Sequence, residues 1–283
     1  MPEIRVVSWN AEGMFVEGTK TRRAKPTDAI SVLKQLNADI VVIPEFGRKD
    51  GIAPQTIEAI AGLSYEYAIS DYNDERMPAL SFAILSKLPI VSQHTFGLAG
   101  SARQALQVEC RLSDGQLISV IGVHLDDRSE SMRKQQITSV VEAVRRVKGQ
   151  PILVMGDFNA MSVDSRFAQF ARSLPVRMLT KLILHKQLHS VVERVSEMAL
   201  GTTINHLLHQ TALQNLDPKL QRTISAKQAG MEWMPSWRIG KIDWIFGTVP
   251  IKVRSYAVMR DVGSDHRPVV ADITITPGDN NRA

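Results

Sequence analysis

The chain has 283 residues, 44% hydrophobic and 22% charged, proportions that support a sizeable buried core and exclude a disordered chain. Its net charge of +5 and pI near 9.4 permit attraction to phosphates without requiring it. The single cysteine, Cys110, excludes an internal disulfide and a cysteine-based zinc cluster.

The sequence enters a strand almost at once, over Ile4–Trp9, with Asn10 at its end. That start leaves no room for a cleavable signal peptide, and no apolar run is long enough to span a bilayer, so a cytoplasmic protein without an integral membrane segment is expected. Thr27 after Pro26 opens a helix with Ile30, Leu33 and Leu36 on one face, and Asn37-Ala38-Asp39 turns into the apolar strand Ile40–Ile43. Glu45 stands at the exit of this βαβ-like unit. A helix over Gln55–Leu63 precedes strands over Tyr65–Ile69 and Leu80–Leu85. Alternating runs Gln104–Leu112 and Gln116–His124 flank Ser113-Asp114-Gly115, a hairpin signal, and the hairpin finishes on His124. Cys110 falls within the first of these runs and reads as a buried strand residue.

Ser129 or Ser131 caps a helix carrying Ile137, Val140, Val141, Val144 and Val147, stopped by Gly149-Gln150-Pro151. The next stretch, Pro151–Asn159, runs apolar to a glycine and then presents Asp157 and Asn159 two positions apart, on one side of the strand end. Taken alone the pair is equally a turn that caps the strand. Four other apolar strands end in the same manner, on Asn10, Glu45, His124 and the pair Asp243 and Asp265-His266, which points to one shared site at a sheet edge. From 160 to 229 the pattern lacks convincing strands, and Leu184, Leu188, Val191, Val195 and Met198 recur at helical spacing, so a helical excursion from the core is expected there. His185 with His189, and His206 with His209, have spacings that can hold a metal on a helix face, but no acidic third ligand has compelling spacing nearby and a basic, partly amphipathic lid or packing segment is the plainer reading. The chain returns through Trp233–Trp237 to Ile242–Phe246, Val253–Met259 and the closing strand Val269–Ile275.

Six motifs occur in order: Ser8-Trp9-Asn10, Pro44-Glu45, Val123-His124-Leu125, Gly156-Asp157-Phe158-Asn159, Ile242-Asp243-Trp244-Ile245 and Ser264-Asp265-His266-Arg267-Pro268. Together they resemble the motif set of the endonuclease/exonuclease/phosphatase superfamily, which includes DNase I, apurinic endonucleases, neutral sphingomyelinases and inositol polyphosphate 5-phosphatases. The resemblance implies an α/β fold, a four-layer sandwich of two face-to-face mixed β-sheets with outer helices. It also implies a single domain over 1–283, since the motifs span both ends of the chain. Pattern alone supports only an α/β protein with mostly buried strands.

The resemblance further implies a Mg²⁺- or Mn²⁺-dependent hydrolase of phosphodiester bonds, consistent with a site of carboxylates, amides and histidines without thiolate. By that resemblance Glu45 holds the metal, and Asn10 and Asp265 hold it or its ligands. Asp157 orients or deprotonates the attacking water, Asn159 supports the phosphate, His266 contacts it, and Asp243 fixes the His266 tautomer. His124 resembles a leaving-group acid or phosphate contact. Glu75 is a weaker candidate partner for that histidine and Arg103 a weaker phosphate contact, equally readable as solvated surface residues. Three functional readings compete: a nuclease acting on DNA or RNA, favoured by the net charge; a phosphodiesterase or phosphatase acting on a phospholipid or a small phosphorylated metabolite; and a non-catalytic phosphate-binding module, disfavoured by the intact residue set. A monomer is assumed.

Overall fold

The computed structural model describes residues 1–16, 26–47, 52–70, 81–162, 173, 196–225, 238–260 and 262–276. Two six-stranded mixed sheets stack face to face with helices on both outer surfaces, as the motif resemblance implied. The first sheet contains β1 (Glu3–Ser8), β2 (Ile40–Ile43), β3 (Glu66–Ile69), β4 (Ala83–Ser86), β13 (Ile251–Val258) and β14 (Val269–Ile275), in the order β13-β14-β1-β2-β4-β3. The second contains β5 (Ile90–Gly97), β6 (Gln104–Arg111), β7 (Leu117–His124), β8 (Ile152–Asp157), β9 (Gln214–Asn215) and β12 (Asp243–Gly247), in the order β5-β6-β7-β8-β12-β9. Short strands β10 (Ile224–Ser225) and β11 (Arg238–Gly240) form a separate two-stranded ribbon.

Each sheet has one parallel pair at its centre, β1 with β2 and β7 with β8. Their carboxyl ends share one rim, the position at which α/β sheets generally bind ligands. The strands read as continuous apolar runs because both faces are covered. In β2 all four residues are buried. Ile40 and Val42 face the core between the sheets, with Val6, Ile84, Val108, Val120, Met155 and Ile245. Val41 and Ile43 face the opposite way, toward α1 (Pro26–Leu36) and α2 (Pro54–Gly62). The second sheet packs its outer face against α3 (Glu130–Arg146) and α4 (Thr202–Gln210) through Ile121, Val123, Ile137, Val140, Val144, Ile204 and Leu207. Each such fully buried aliphatic side chain contributes about 1.5–3 kcal/mol of transfer free energy.

Ser129 rather than Ser131 caps α3, its Oγ accepting from the Met132 N–H at 3.3 Å, and Arg145 and Arg146 occupy the last turn where the helix dipole favours cations. The expected hairpin forms, with β6 and β7 antiparallel from Leu106 opposite Gly122 to Arg111 opposite Leu117. Strand β5 was not expected. It is an edge strand whose side chains are largely exposed, so it lacks the burial alternation that marks a strand in sequence. Within 160–229 the described residues form α4 and the two-residue strands β9 and β10, the latter two being departures from a strandless segment. Most of the helical spacing at 184–198, the pair His185 and His189, Glu75 and Trp233–Trp237 lie outside the described residues. On α4, His206 is half-buried and His209 exposed. Among the described residues no helix is long and apolar enough to cross a membrane.

Candidate active site

Both parallel pairs end on polar side chains. Beyond β1 and β2 the backbone pairing continues, Trp9 N–H to Val42 O at 3.0 Å and Ala11 N–H to Pro44 O at 3.1 Å, which fastens Asn10 beside Glu45. Glu45 itself adopts φ +53°, a left-handed conformation unfavourable for a side chain with a Cβ, and Gly13 N–H donates to its carbonyl at the turn. Across the sandwich, β7 and β8 run in register so that His124 is opposite Asp157. Gly156 makes that pairing possible, because a Cβ there would lie 2.0 Å from the Val123 carbonyl oxygen. Strand β12 flanks β8 antiparallel and sets Asp243 opposite Asp157.

The Oδ2 atom of Asp157 is the meeting point. Asn10 Nδ2 donates to it at 3.1 Å, and His124 Nε2 and His266 Nε2 each lie 3.7 Å away. Asn10 Nδ2 also donates to Glu45 Oε1 at 3.1 Å, so one amide bridges a carboxylate from each sheet, while its Oδ1 accepts from the Glu12 N–H at 3.0 Å. His124 Nε2 lies 3.6 Å from Glu45 Oε1. His266 Nδ1 sits 3.0 and 2.9 Å from the two oxygens of Asp243, which is fully buried. Asn159, at φ +47°, donates its backbone N–H to Asp157 Oδ1 at 2.9 Å and its Nδ2 to Leu125 O at 3.0 Å. Asp265, part-exposed, places Oδ1 3.8 Å from His266 Nε2 and donates its N–H to Glu12 Oε2. Eight expected residues therefore converge: Asn10, Glu45, His124, Asp157, Asn159, Asp243, Asp265 and His266.

Arg103 reaches the rim from beneath. Its guanidinium donates to Leu125 O at 2.6 Å and pairs with Asp127 at 3.1 Å, so it is engaged with the loop after β7 rather than solvated. Glu75 lies outside the described residues.

The electrostatics separate the two histidines. Burial, with the Arg103 charge added, holds His124 well below the ordinary imidazole value, so it is neutral. Burial also pulls His266 down, but Asp243, Asp157 and Asp265 outweigh it and raise His266 well above its ordinary value. Burial pushes Asp157 up to about 7, against the opposing pull of His266. Glu45 is raised by burial, and Glu12 by burial and the neighbouring Asp265 charge. Carboxylates crowded into a buried rim at this cost fit a hard divalent cation, and the donors are oxygen and imidazole without thiolate. Asp157, Asp243 and His266 also place ligand atoms within 4.8 Å of one another, but both Asp243 oxygens are occupied by His266 Nδ1, so Glu45 and Asp157 are the more available oxygens.

Two neighbours, Glu12 and Thr223, were not read from the sequence, and Ser264 stood in the last motif without an assigned role. Glu12 follows Asn10 by two positions at the same strand end, a signal as strong as that of Asp157 and Asn159. Ser264 donates its hydroxyl to Asn10 O at 2.7 Å and accepts from the His266 N–H at 3.1 Å, tying the first and last motifs together. Thr223 Oγ1 accepts from the Asp243 N–H at 3.2 Å, and nothing in its local sequence marks it.

The profile of the Endonuclease/Exonuclease/phosphatase family matches residues 7–266. Comparison with curated proteins finds no match. Among solved structures, the chain is similar to an endonuclease/exonuclease/phosphatase from Beutenbergia cavernae DSM 12333, at 19% identity and TM-score 0.67 over 98% of this chain and 72% of that one. It is also similar to a mannosyl-6-phosphatase from Bacteroides thetaiotaomicron VPI-5482, at 16% identity and TM-score 0.63 over 96% and 100% of the two chains. The human Nocturnin catalytic domain with bound sulfate anion gives 16% identity and TM-score 0.58 over 97% and 95%.

Proposed function

We propose, from the premise that this chain belongs to the endonuclease/exonuclease/phosphatase family and is accordingly a phosphoester hydrolase, that it hydrolyses phosphodiester bonds of DNA or RNA with Mg²⁺ or Mn²⁺. The observation that carries the reading is the convergence of Asn10, His124 and His266 on one oxygen of Asp157, with Glu45 joined to it through the Asn10 amide and Asp243 through His266. The net charge of +5 favours a polyanionic substrate over a small ester.

The family is generally dependent on divalent metals, and Glu45, with Asp157 and Asp265 nearby, would hold the ion here. When bound, such an ion neutralises charge on the phosphoryl oxygens and stabilises the leaving oxygen. Asn10 keeps the two carboxylates at a fixed separation through its bridging amide. Asp157, a buried carboxyl held above its ordinary value by burial, has Oδ2 at the centre of the rim and is placed to take a proton from an attacking water. His266, cationic and oriented by Asp243, directs Nε2–H toward the same space and offers a charge-assisted hydrogen bond to a phosphoryl oxygen. His124 stays neutral and contributes a hydrogen bond without adding charge. Asn159, whose amide nitrogen is held by Leu125 O, supports the phosphate from the β8 end.

The test is a panel of plasmid DNA, RNA and DNA oligonucleotides, sphingomyelin, an inositol phosphate and a sugar phosphate, each with Mg²⁺, Mn²⁺ or EDTA. The nuclease reading expects metal-dependent cleavage of nucleic acid that disappears in His266→Ala. Turnover confined to lipid or small-metabolite esters would overturn it in favour of a different substrate on the same chemistry.

A further inference from the structure

Behind the Asp243–His266 pair lies a second charged pair with no place in the chemistry above. Lys241 and Asp217 are only 5% and 2% exposed, yet Lys241 Nζ donates to Asp217 Oδ2 at 2.6 Å and to the Tyr256 hydroxyl at 2.9 Å. The ammonium lies 4.8 Å from the Trp244 ring centroid and 4.9 Å from that of Tyr256, so cation–π attraction supplements the ion pair. Burying two opposite charges gains little over burying two apolar groups, because desolvation cancels most of the attraction. Such a pair is better explained by what it holds in place.

What it holds is the 217–223 loop. Asp217 accepts from the Lys219 N–H at 3.0 Å and from the Gln221 N–H at 2.6 Å, so the residue that pairs with Lys241 also shapes the loop backbone. The loop ends at Thr223, which is fully buried between the two segments bearing the dyad. Thr223 Oγ1 accepts from the Ile242 and Asp243 N–H groups, each at 3.2 Å, and Thr223 N–H donates to Gly240 O at 2.8 Å. On the other side Thr223 O accepts from the Arg267 N–H at 3.2 Å, and Ile224 forms a β-bridge with His266. One residue thus contacts the backbone of the Asp243 strand and that of the His266 loop at the same time.

We infer that Lys241, through Asp217 and Thr223, is a positioning residue that sets the registry between Asp243 and His266. The inference rests on the reading of those two residues as catalytic. It differs from a contribution to stability alone, because the last links are hydrogen bonds from the Asp243 N–H to Thr223 Oγ1 and from the Arg267 N–H, next to His266, to Thr223 O.

The experiment compares Lys241→Met, Thr223→Val and the double variant with the full-length wild type. It measures the downfield ¹H resonance of His266 Nδ1–H, and kcat and KM for bis-p-nitrophenyl phosphate with Mg²⁺, well below each melting temperature. Each single variant is expected to move the resonance and to lower kcat by about tenfold to a hundredfold, the scale of a misplacement of about 1 Å, with KM within about twofold. Because both act through one device, the double variant falls no further than the worse single variant. Thr223→Val changes no charge and exchanges a hydroxyl for a methyl, so it decides the matter even where Lys241→Met does not fold. Lowered melting temperatures with an unmoved resonance and unchanged kcat would overturn the inference, as would losses that multiply in the double variant. A wild type that hydrolyses no phosphoester would overturn the functional reading instead, and the resonance alone would then decide the positioning.

Discussion

Replacing Gly156 by alanine is the sharpest local perturbation that this architecture offers. A Cβ at that position meets the Val123 carbonyl oxygen at 2.0 Å and its carbon at 2.9 Å, at φ +143°. A carbon–oxygen contact needs about 3.3 Å, so β7 and β8 must separate by roughly 1.3 Å at the pair just before His124 and Asp157. The carbonyl belongs to the backbone and cannot rotate aside. Strain of a side chain at that φ costs about 1–3 kcal/mol, and forcing the strands apart costs about 1–3 kcal/mol more. Together these remove roughly 2–6 kcal/mol from a total of about 5–15, lowering the melting temperature on the order of 10 °C. Urea and thermal unfolding read the loss. Gly115→Ala is the control, since Gly115 has φ +87° but no atom within 4 Å of a built Cβ, and it is expected to lose only about 1 kcal/mol. Equal destabilisation by the two substitutions would refute the close-approach reasoning.

Two further predictions follow from burial. Glu45 is held above its ordinary carboxyl value by burial, so its ionised form is costly in the folded, metal-free protein; Glu45→Gln is expected to melt higher than wild type in EDTA. It is also expected to lose most of the stabilisation of about 2.7 kcal/mol that an ion at a hundredfold its Kd gives the wild type, and an equal Mg²⁺-induced thermal shift in both would contradict the ligand assignment. Cys110 is buried and its thiol is pushed up to about 11, mainly by burial, from an ordinary 9.0. The unfolded chain therefore releases that proton first, and the group's contribution to stability, full below about 9, is lost as pH rises toward 11. Ellman's reagent at pH 8 should leave the native protein unlabelled and titrate one thiol in urea; rapid native labelling would contradict the burial.

The parts of the fold that were legible are those in which packing imposes a pattern. Ile40–Ile43 is apolar because both faces are covered, whereas Val269–Ile275 keeps Val269, Ala271, Ile273 and Ile275 on the inter-sheet face and leaves Asp272 and Thr274 half-exposed; the bounds of both follow directly from the sequence. Ile90–Gly97 was not legible, because an exposed edge strand is free to carry Ser92, Gln93, His94 and Thr95. The site divides in the same manner. Residues that end buried strands, such as His124 and Asp157, announce themselves by polarity after an apolar run. Thr223 and Ser264 act through hydrogen bonds to backbone atoms hundreds of residues or a full loop away, as with Ser264 to Asn10 O, and side-chain spacing carries no trace of such contacts. Arg103 is intermediate: its position near the rim was visible, but its engagement with Leu125 O and Asp127 depends on how the loop after β7 folds back.

In the proposed function the buried Asp243–His266 pair beside Asp157 carries metal-dependent displacement at phosphorus. It is tested most directly by the Mg²⁺-dependent kcat for bis-p-nitrophenyl phosphate in the wild type, Asp243→Asn and His266→Ala. Turnover that EDTA abolishes is expected, with a loss of about 10²–10⁴-fold in each variant and unfolding midpoints showing that both remain folded at the assay temperature. Folded variants with wild-type turnover would contradict it.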